Sequence, residues 1–157
     1  MLWSSQSRSE EPVTESRQSY PFVYDWSPDG KWLLMSDNNA PRATKSGYCP
    51  WRPNHMPNAR RAGISDPAYD LYDEHFSPNG RWIAFNPVRS QPSGAESTIY
   101  VMSAAGGPWI RITEGKHLDN KPRWSPDGKI IYFLTERAGF FNVWGIHFDS
   151  ARGRPVS

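Results

Sequence analysis

Three stretches of the chain repeat one order of polar and apolar positions. Each runs from an aromatic residue through a polar SPxG turn into a short apolar run. Trp26-Ser27-Pro28-Asp29-Gly30 precedes Lys31-Trp32-Leu33-Leu34-Met35, and Phe76-Ser77-Pro78-Asn79-Gly80 precedes Arg81-Trp82-Ile83-Ala84-Phe85. The third copy, Trp124-Ser125-Pro126-Asp127-Gly128, precedes Lys129-Ile130-Ile131-Tyr132-Phe133. The aromatics stand 50 and 48 residues apart, a period that marks a repeated supersecondary unit. Apolar runs this short, bounded by turn residues, read as strands buried on both faces. No long stretch carries apolar residues at helical spacing.

The turn chemistry explains why these residues recur. Serine bonds back to the turn backbone, proline presets φ, and Asp or Asn fits the third position. Gly30, Gly80 and Gly128 supply the left-handed residue that ends a type I turn with a bulge. Such a turn joins two antiparallel strands. Pro28, Gly30, Pro78, Gly80, Pro126 and Gly128 are therefore read as structural turn residues, not as ligand contacts.

The middle repeat predicts two more strands, Thr98 to Met102 and Trp109 to Thr113, joined by the turn Ala104 to Pro108. Four antiparallel strands followed by a short loop make one propeller blade. In the last repeat the third strand is Asn142 to Phe148, with Trp144, Ile146 and Phe148 alternating. In the first, the third strand falls near Gly47 to Arg52, interrupted by Pro50, and the fourth at Arg60 to Ile64. The expected fold is all-β, with about three blades. The expected organisation is an N-terminal tail over 1–19, a degenerate blade over 20–66, a second over 67–114 and a third over 115–157. By the same spacing the last outer strand would begin where the chain stops, so the third blade is expected to lack it. Pro12-Val13-Thr14, 13 residues before Trp26 as Arg111 is before Trp124, stands where a spare outer strand would lie.

These motifs resemble the TolB-like, WD-repeat-like propeller repeat: a loop ending in D-x-x-P, then WSPDGxxIxF, an IYxM-type strand and a strand ending in LT. The matching residues are Asp119-Asn120-Lys121-Pro122, Trp124 to Phe133, Ile99 to Met102 and Arg111-Ile112-Thr113. The resemblance covers roughly residues 20 to 148, and the first repeat departs from the pattern between Asn38 and Asn58. It extends to the C-terminal propellers fused to some bacterial serine/threonine kinases and, more distantly, to those of prolyl-oligopeptidase-like peptidases. The Gly-His and Trp-Asp pairs of true WD repeats are absent, and Asp29-Gly30 and Asp127-Gly128 are adjacent, unlike a sialidase Asp-box. The resemblance implies a six-bladed ring and a parent family that is often periplasmic or extracytoplasmic.

Composition changes this picture little. At 37% hydrophobic and 22% charged the chain is ordinary for a soluble protein, while 8 Trp and 15 Pro fit strands and turns. A net charge of +2 is too small to imply a polyanion, and no nucleic-acid partner is expected. A single cysteine, Cys49, excludes an intrachain disulfide framework. The N-terminus has no apolar signal segment and no run is long enough to span a bilayer. The chain is read as soluble, its compartment open.

No catalytic or metal set stands out. His55, His75, His117 and His147 are scattered without metal spacing, and neither a GxSxG elbow nor a P-loop occurs. No cofactor and no enzymatic activity are expected. In propellers the SPxG turns emerge on one face, and the loops between blades share the other with those between second and third strands. Loops carry binding more often than scaffold strands, which nominates Asp70, Tyr72, Asp73, Lys116, His117 and Asp119 as a ligand-face rim. The reading is a non-catalytic module binding a protein, peptide or small solute, as scaffold or sensor. The alternatives are the gating propeller of a peptidase whose catalytic domain lies elsewhere, and a gene fragment without independent function. Two assemblies stay open: a fragment of a longer propeller with exposed edges, and a homodimer exchanging N-terminal strands to make six blades.

Overall fold

The structure is a computed structural model that describes residues 2–3, 10–11, 21–37, 45–50, 61–92 and 94–156. Two short strands, β1 (Leu2–Trp3) and β2 (Glu10–Glu11), pair with each other. The remaining strands form three antiparallel sheets. The first is β3 (Pro21–Trp26), β4 (Trp32–Asp37), β5 (Lys45–Pro50) and β6 (Arg61–Ile64), in that order. The second is β7 (Asp70–Phe76), β8 (Trp82–Gln91), β10 (Tyr100–Ser103) and β11 (Ile110–Arg111), with β9 (Gly94–Ser97) folded back on the far end of β8. The third is β12 (Asn120–Trp124), β13 (Ile130–Thr135), β14 (Asn142–Asp149) and β15 (Arg154–Pro155).

The three SPxG turns are built alike. Ser27 N–H donates to the Trp32 carbonyl at 2.8 Å and the Gly30 N–H to the Ser27 carbonyl at 2.8 Å. The Ser27 hydroxyl donates to Asp29 Oδ1 at 2.6 Å and accepts from the Trp32 N–H at 2.9 Å. Ser77 with Asn79 and Ser125 with Asp127 repeat both side-chain bonds. The glycines have φ of 67°, 67° and 69°, as the bulged turn requires. Consecutive turns also stack: a Cβ at Gly80 would lie 3.5 Å from the Pro28 ring.

Two apolar layers hold the sheets together. Leu34 and Ile64 of the first sheet pack on Leu71, Phe76, Ile83, Phe85 and Met102 of the second. Ala84, Ile99, Val101 and Ile112 of the second pack on Ile131, Phe133 and Phe148 of the third. Neighbouring residues of β8, Ile83 and Ala84, thus enter opposite layers, which is why its run is apolar without alternation. Each fully buried Leu, Ile or Phe contributes about 1.5–3 kcal/mol. The first strands of the sheets, β3, β7 and β12, stand side by side.

Two expectations need correcting. The third sheet does not lack its outer strand: Pro155 pairs with Phe148 and Arg154 with Asp149. The turn before it is shorter than its counterpart in the second sheet, because Asp149 Oδ1 accepts the N–H of Ala151 at 2.9 Å and of Arg152 at 3.0 Å. The strand therefore arrives earlier than the spacing suggests. The slot that strand exchange was to fill is occupied by the chain's own residues, so the exchanged homodimer loses its premise. Pro12-Val13-Thr14 lies outside the described residues. The fold also adds something unforeseen, the β8–β9 hairpin.

Candidate functional site

The loops opposite the SPxG turns enclose a broad, open depression of about 370 Å³. Three connections build it: the β8–β9 hairpin gives Gln91 and Glu96, the loop before β12 gives Lys116, His117 and Leu118, and the turn after β13 gives Glu136. The loop is braced from below. Arg111 Nε donates to the Thr113 carbonyl at 3.0 Å, and its Nη2 to the Glu114 carbonyl at 2.8 Å. Gly115 lets this guanidinium pass, since its φ is +71° and a Cβ there would collide with Arg111 Nη2 and with Thr98 Oγ1. From the other side, Glu136 Oε1 accepts the Leu118 N–H at 3.1 Å.

The surface is of mixed charge. Gln91 Nε2 donates to Glu96 Oε2 at 2.9 Å, and Arg111 Nη2 lies 3.9 Å from Glu96 Oε1. Lys116 pairs with Glu114 in full solvent contact, and its hydrogen bond and charge hold the Glu114 carboxyl below the usual range. His117 and Leu118 are exposed. The arrangement suits recognition of an extended, polar surface with some apolar contact.

The nominated rim residues divide into three groups. Lys116 and His117 line the depression. Asp70, Tyr72 and Asp73 lie on β7; burial, and after it the charge of Asp70, raises the Tyr72 phenol. Asp119 is fully buried and accepts Arg137 Nη2 at 3.1 Å, so it belongs to the scaffold rather than the surface. Glu96 and Glu136 carry no mark in the sequence, because sheet order alone brings them together.

Backbone strain marks a second feature. Asp73 and Lys121 have φ of 51° and 53°, unusual for residues other than glycine. Both sit three residues before the turn aromatic, at β-bulges where the pairing of the first strand slips.

Asp25 and His75 form an acid–imidazole pair on neighbouring first strands, Asp25 Oδ2 to His75 Nδ1 being 3.4 Å. The carboxylate also accepts the N–H of Phe76 at 2.9 Å and of Trp26 at 2.8 Å. Burial pushes its pKa up, but the hydrogen bonds of His75, Phe76 and Trp26 outweigh burial and hold it below the usual range. This is a clasp between sheets. Among the described residues no group of three or more His, Cys, Asp or Glu could hold a metal, and no helix is long and apolar enough to cross a membrane.

Three antiparallel sheets side by side, each with a path of four strands whose first two are joined by the same turn, are blades of a β-propeller. In repeat and fold these blades are TolB-like. The structure matches TolB from Acinetobacter baumannii with a TM-score of 0.68 and 22% identity, over 95% of this chain and 35% of that one. In sequence, an uncharacterised protein of Agrobacterium fabrum is 26% identical over 164 residues, 81% of this chain and 55% of that protein. A tricorn protease homolog of Saccharolobus solfataricus is 31% identical over 114 residues, 71% of this chain and 9% of that protein. The chain thus spans about half of the first relative and a small part of the second. No protein-family model matches it.

Proposed function

We propose that the chain is a non-catalytic TolB-like propeller module that binds a protein or peptide partner as a scaffold or sensor. The observation that carries this reading is the depression formed by the β8–β9 hairpin, the 114–121 loop and Glu136, three connections on one face. Its acidic groups, Glu96 and Glu136, stand beside the exposed Leu118 and His117, which favours a peptide with a basic and an apolar side chain. The small-solute reading is weaker, because an open depression buries little of a small ligand.

The test is selection of peptides from a random display library on the purified chain, followed by binding assays with Glu96→Gln and His117→Ala. Glu96→Gln keeps the shape of the side chain and His117 is exposed, so folding should be preserved. Enriched peptides whose affinity falls about tenfold or more in these variants support the reading. No enrichment, or affinity unchanged in both, overturns it.

A second reading is favoured by the similarity to the tricorn protease homolog: these blades would be the propeller part of a peptidase whose catalytic domain is encoded beside them. A peptidase domain in the adjoining reading frame would support it. Hydrolysis of a peptide or ester panel by the purified chain, abolished by a single Ser→Ala change, would contradict both readings.

A further inference from the structure

β8 runs for 10 residues, whereas its counterparts β4 and β13 run for 6. Its far end carries β9, paired without a bulge from Val88 and Ser97 out to Gln91 and Gly94. β9 bonds to β8 along one edge only. Its other edge borders the depression, which Gly94, Ala95 and Glu96 help to line.

The backbone of this edge can be followed residue by residue. The Ile99 carbonyl accepts the Ile112 N–H at 2.9 Å, and the Ser97 carbonyl accepts the Asp119 N–H at 3.2 Å. Both carbonyls point away from β8. The direction of the backbone groups repeats every second residue along a strand, so the N–H and carbonyl of Ala95 point away from β8 as well. No described residue bonds to either group, and Ala95 is exposed. Lysine, proline and a bulge, which guard many strand edges, are absent from Gly94-Ala95-Glu96-Ser97. Such an edge is a template for another strand.

Side-chain direction says what that strand would carry. Ser97 Oγ donates to the Asp119 carbonyl at 2.7 Å, and Ile99 and Val101 pack on the third sheet. By the same alternation Ala95 faces the third sheet, and a residue paired with Ala95 would do so too. Glu136 stands on that side of the depression. Its Oε1 accepts the Leu118 N–H, and its Oε2 accepts nothing among the described residues. The other charges there are answered, since Lys116 pairs with Glu114 and Glu96 lies against Arg111 and Gln91.

We propose that the edge of β9 takes up an extended peptide as an added strand, with a lysine or arginine opposite Ala95 whose cation meets Glu136. This rests on the peptide-binding reading above, and adds to it the mode of binding and the place of the basic residue. Main-chain bonds supply affinity in this mode, and alternate side chains supply specificity. The small Ala95 leaves room beside it for a long side chain. The groups concerned lie between Gln91 and Glu136, at the junction of the second and third sheets and away from both ends of the chain.

The experiment uses the peptides selected from the random display library on the full chain. Each is remade with one backbone N-methyl group at a time. Affinity should fall about tenfold or more at every second residue and little between, because the N–H groups of a strand face its partner alternately. Amide exchange followed by NMR should slow at least about tenfold at Ala95 under saturating peptide, and less at Glu96, whose N–H already faces β8. Glu136→Gln keeps the acceptor for the Leu118 N–H. It should weaken peptides with lysine or arginine about tenfold and leave their alanine-substituted forms unchanged. Peptides that bind without the N-methyl alternation, or without slowing at Ala95, overturn the added strand while the peptide-binding reading stands. Binding of basic peptides that Glu136→Gln leaves intact overturns the proposed cation contact. Selection without enrichment overturns both the proposal and the reading beneath it.

Discussion

Arg137 reaches back across the third blade and donates from Nη2 to the buried Asp119 Oδ1 at 3.1 Å. Its guanidinium lies 4.9 Å from the centre of the Trp144 ring and 5.4 Å from that of Phe133. One side chain thus ties the loop before β12 to the turn after β13, and so fixes two of the three walls of the depression. The pair is anchored further, since the Asp119 carbonyl accepts the Ser97 hydroxyl at 2.7 Å.

Asp119→Ala should therefore be costly. It removes the carboxylate that satisfies a guanidinium only 26% exposed. Breaking a fully buried pair costs about 3–5 kcal/mol, and the partial exposure of Arg137 reduces this to about 2–3 kcal/mol. Asp119→Asn keeps an acceptor oxygen and should lose about half as much. Urea denaturation of the three proteins measures both values, and equal midpoints for wild type and Asp119→Ala would contradict the assignment.

The turn glycine gives a second test. At Gly80 the space is sufficient, since an added methyl would sit 3.5 Å from Pro28, but φ is +67°. Gly80→Ala should lower stability by about 1 kcal/mol or more through backbone strain alone. Asn79→Asp keeps the acceptor for the Ser77 hydroxyl and loses only the exposed bond to Ser150 Oγ. Its effect should stay within about 0.5 kcal/mol. Thermal melts of both variants check the pair; a Gly80→Ala melting temperature equal to wild type would sink the turn assignment.

What can be read in advance follows from how local the cause is. The SPxG turns are legible because Ser, Pro, Asp and Gly each act within a few residues of their own position. The strand order follows from repetition. β9 is not legible, because the polar hairpin Val88–Ser97 has no apolar alternation to betray it. Repeat spacing misses the outer strand β15, because the turn held by Asp149 shortens the path to it. Glu96 and Glu136, 40 residues apart in sequence, line one depression only because the second and third sheets stand side by side, and nothing about either residue alone announces it. The loop position of Asp119 suggests a rim residue, whereas its partner Arg137 draws it inside.

The junction clasp predicts a pH dependence. The Asp25 carboxyl is held below its usual range in the folded protein, where hydrogen bonds from His75, Phe76 and Trp26 overcome the effect of burial. A carboxyl depressed on folding stabilises the protein fully above its unfolded value, near about 3.9. That contribution is lost as pH falls through the lower, folded value. Asp29, Asp127 and Glu114 are depressed too, so the total acid response belongs to several groups. The share of Asp25 is the difference between wild type and Asp25→Asn. At neutral pH the variant should be less stable, because the ionised acceptor of the Phe76 N–H is gone. As pH is lowered through the acid range the two curves should converge, since wild-type Asp25 then becomes neutral as well. Denaturant midpoints at pH 7, 5, 4 and 3 measure the gap. A gap that stays constant down to pH 3, or that widens, would show that Asp25 does not join the first two blades as an ionised clasp.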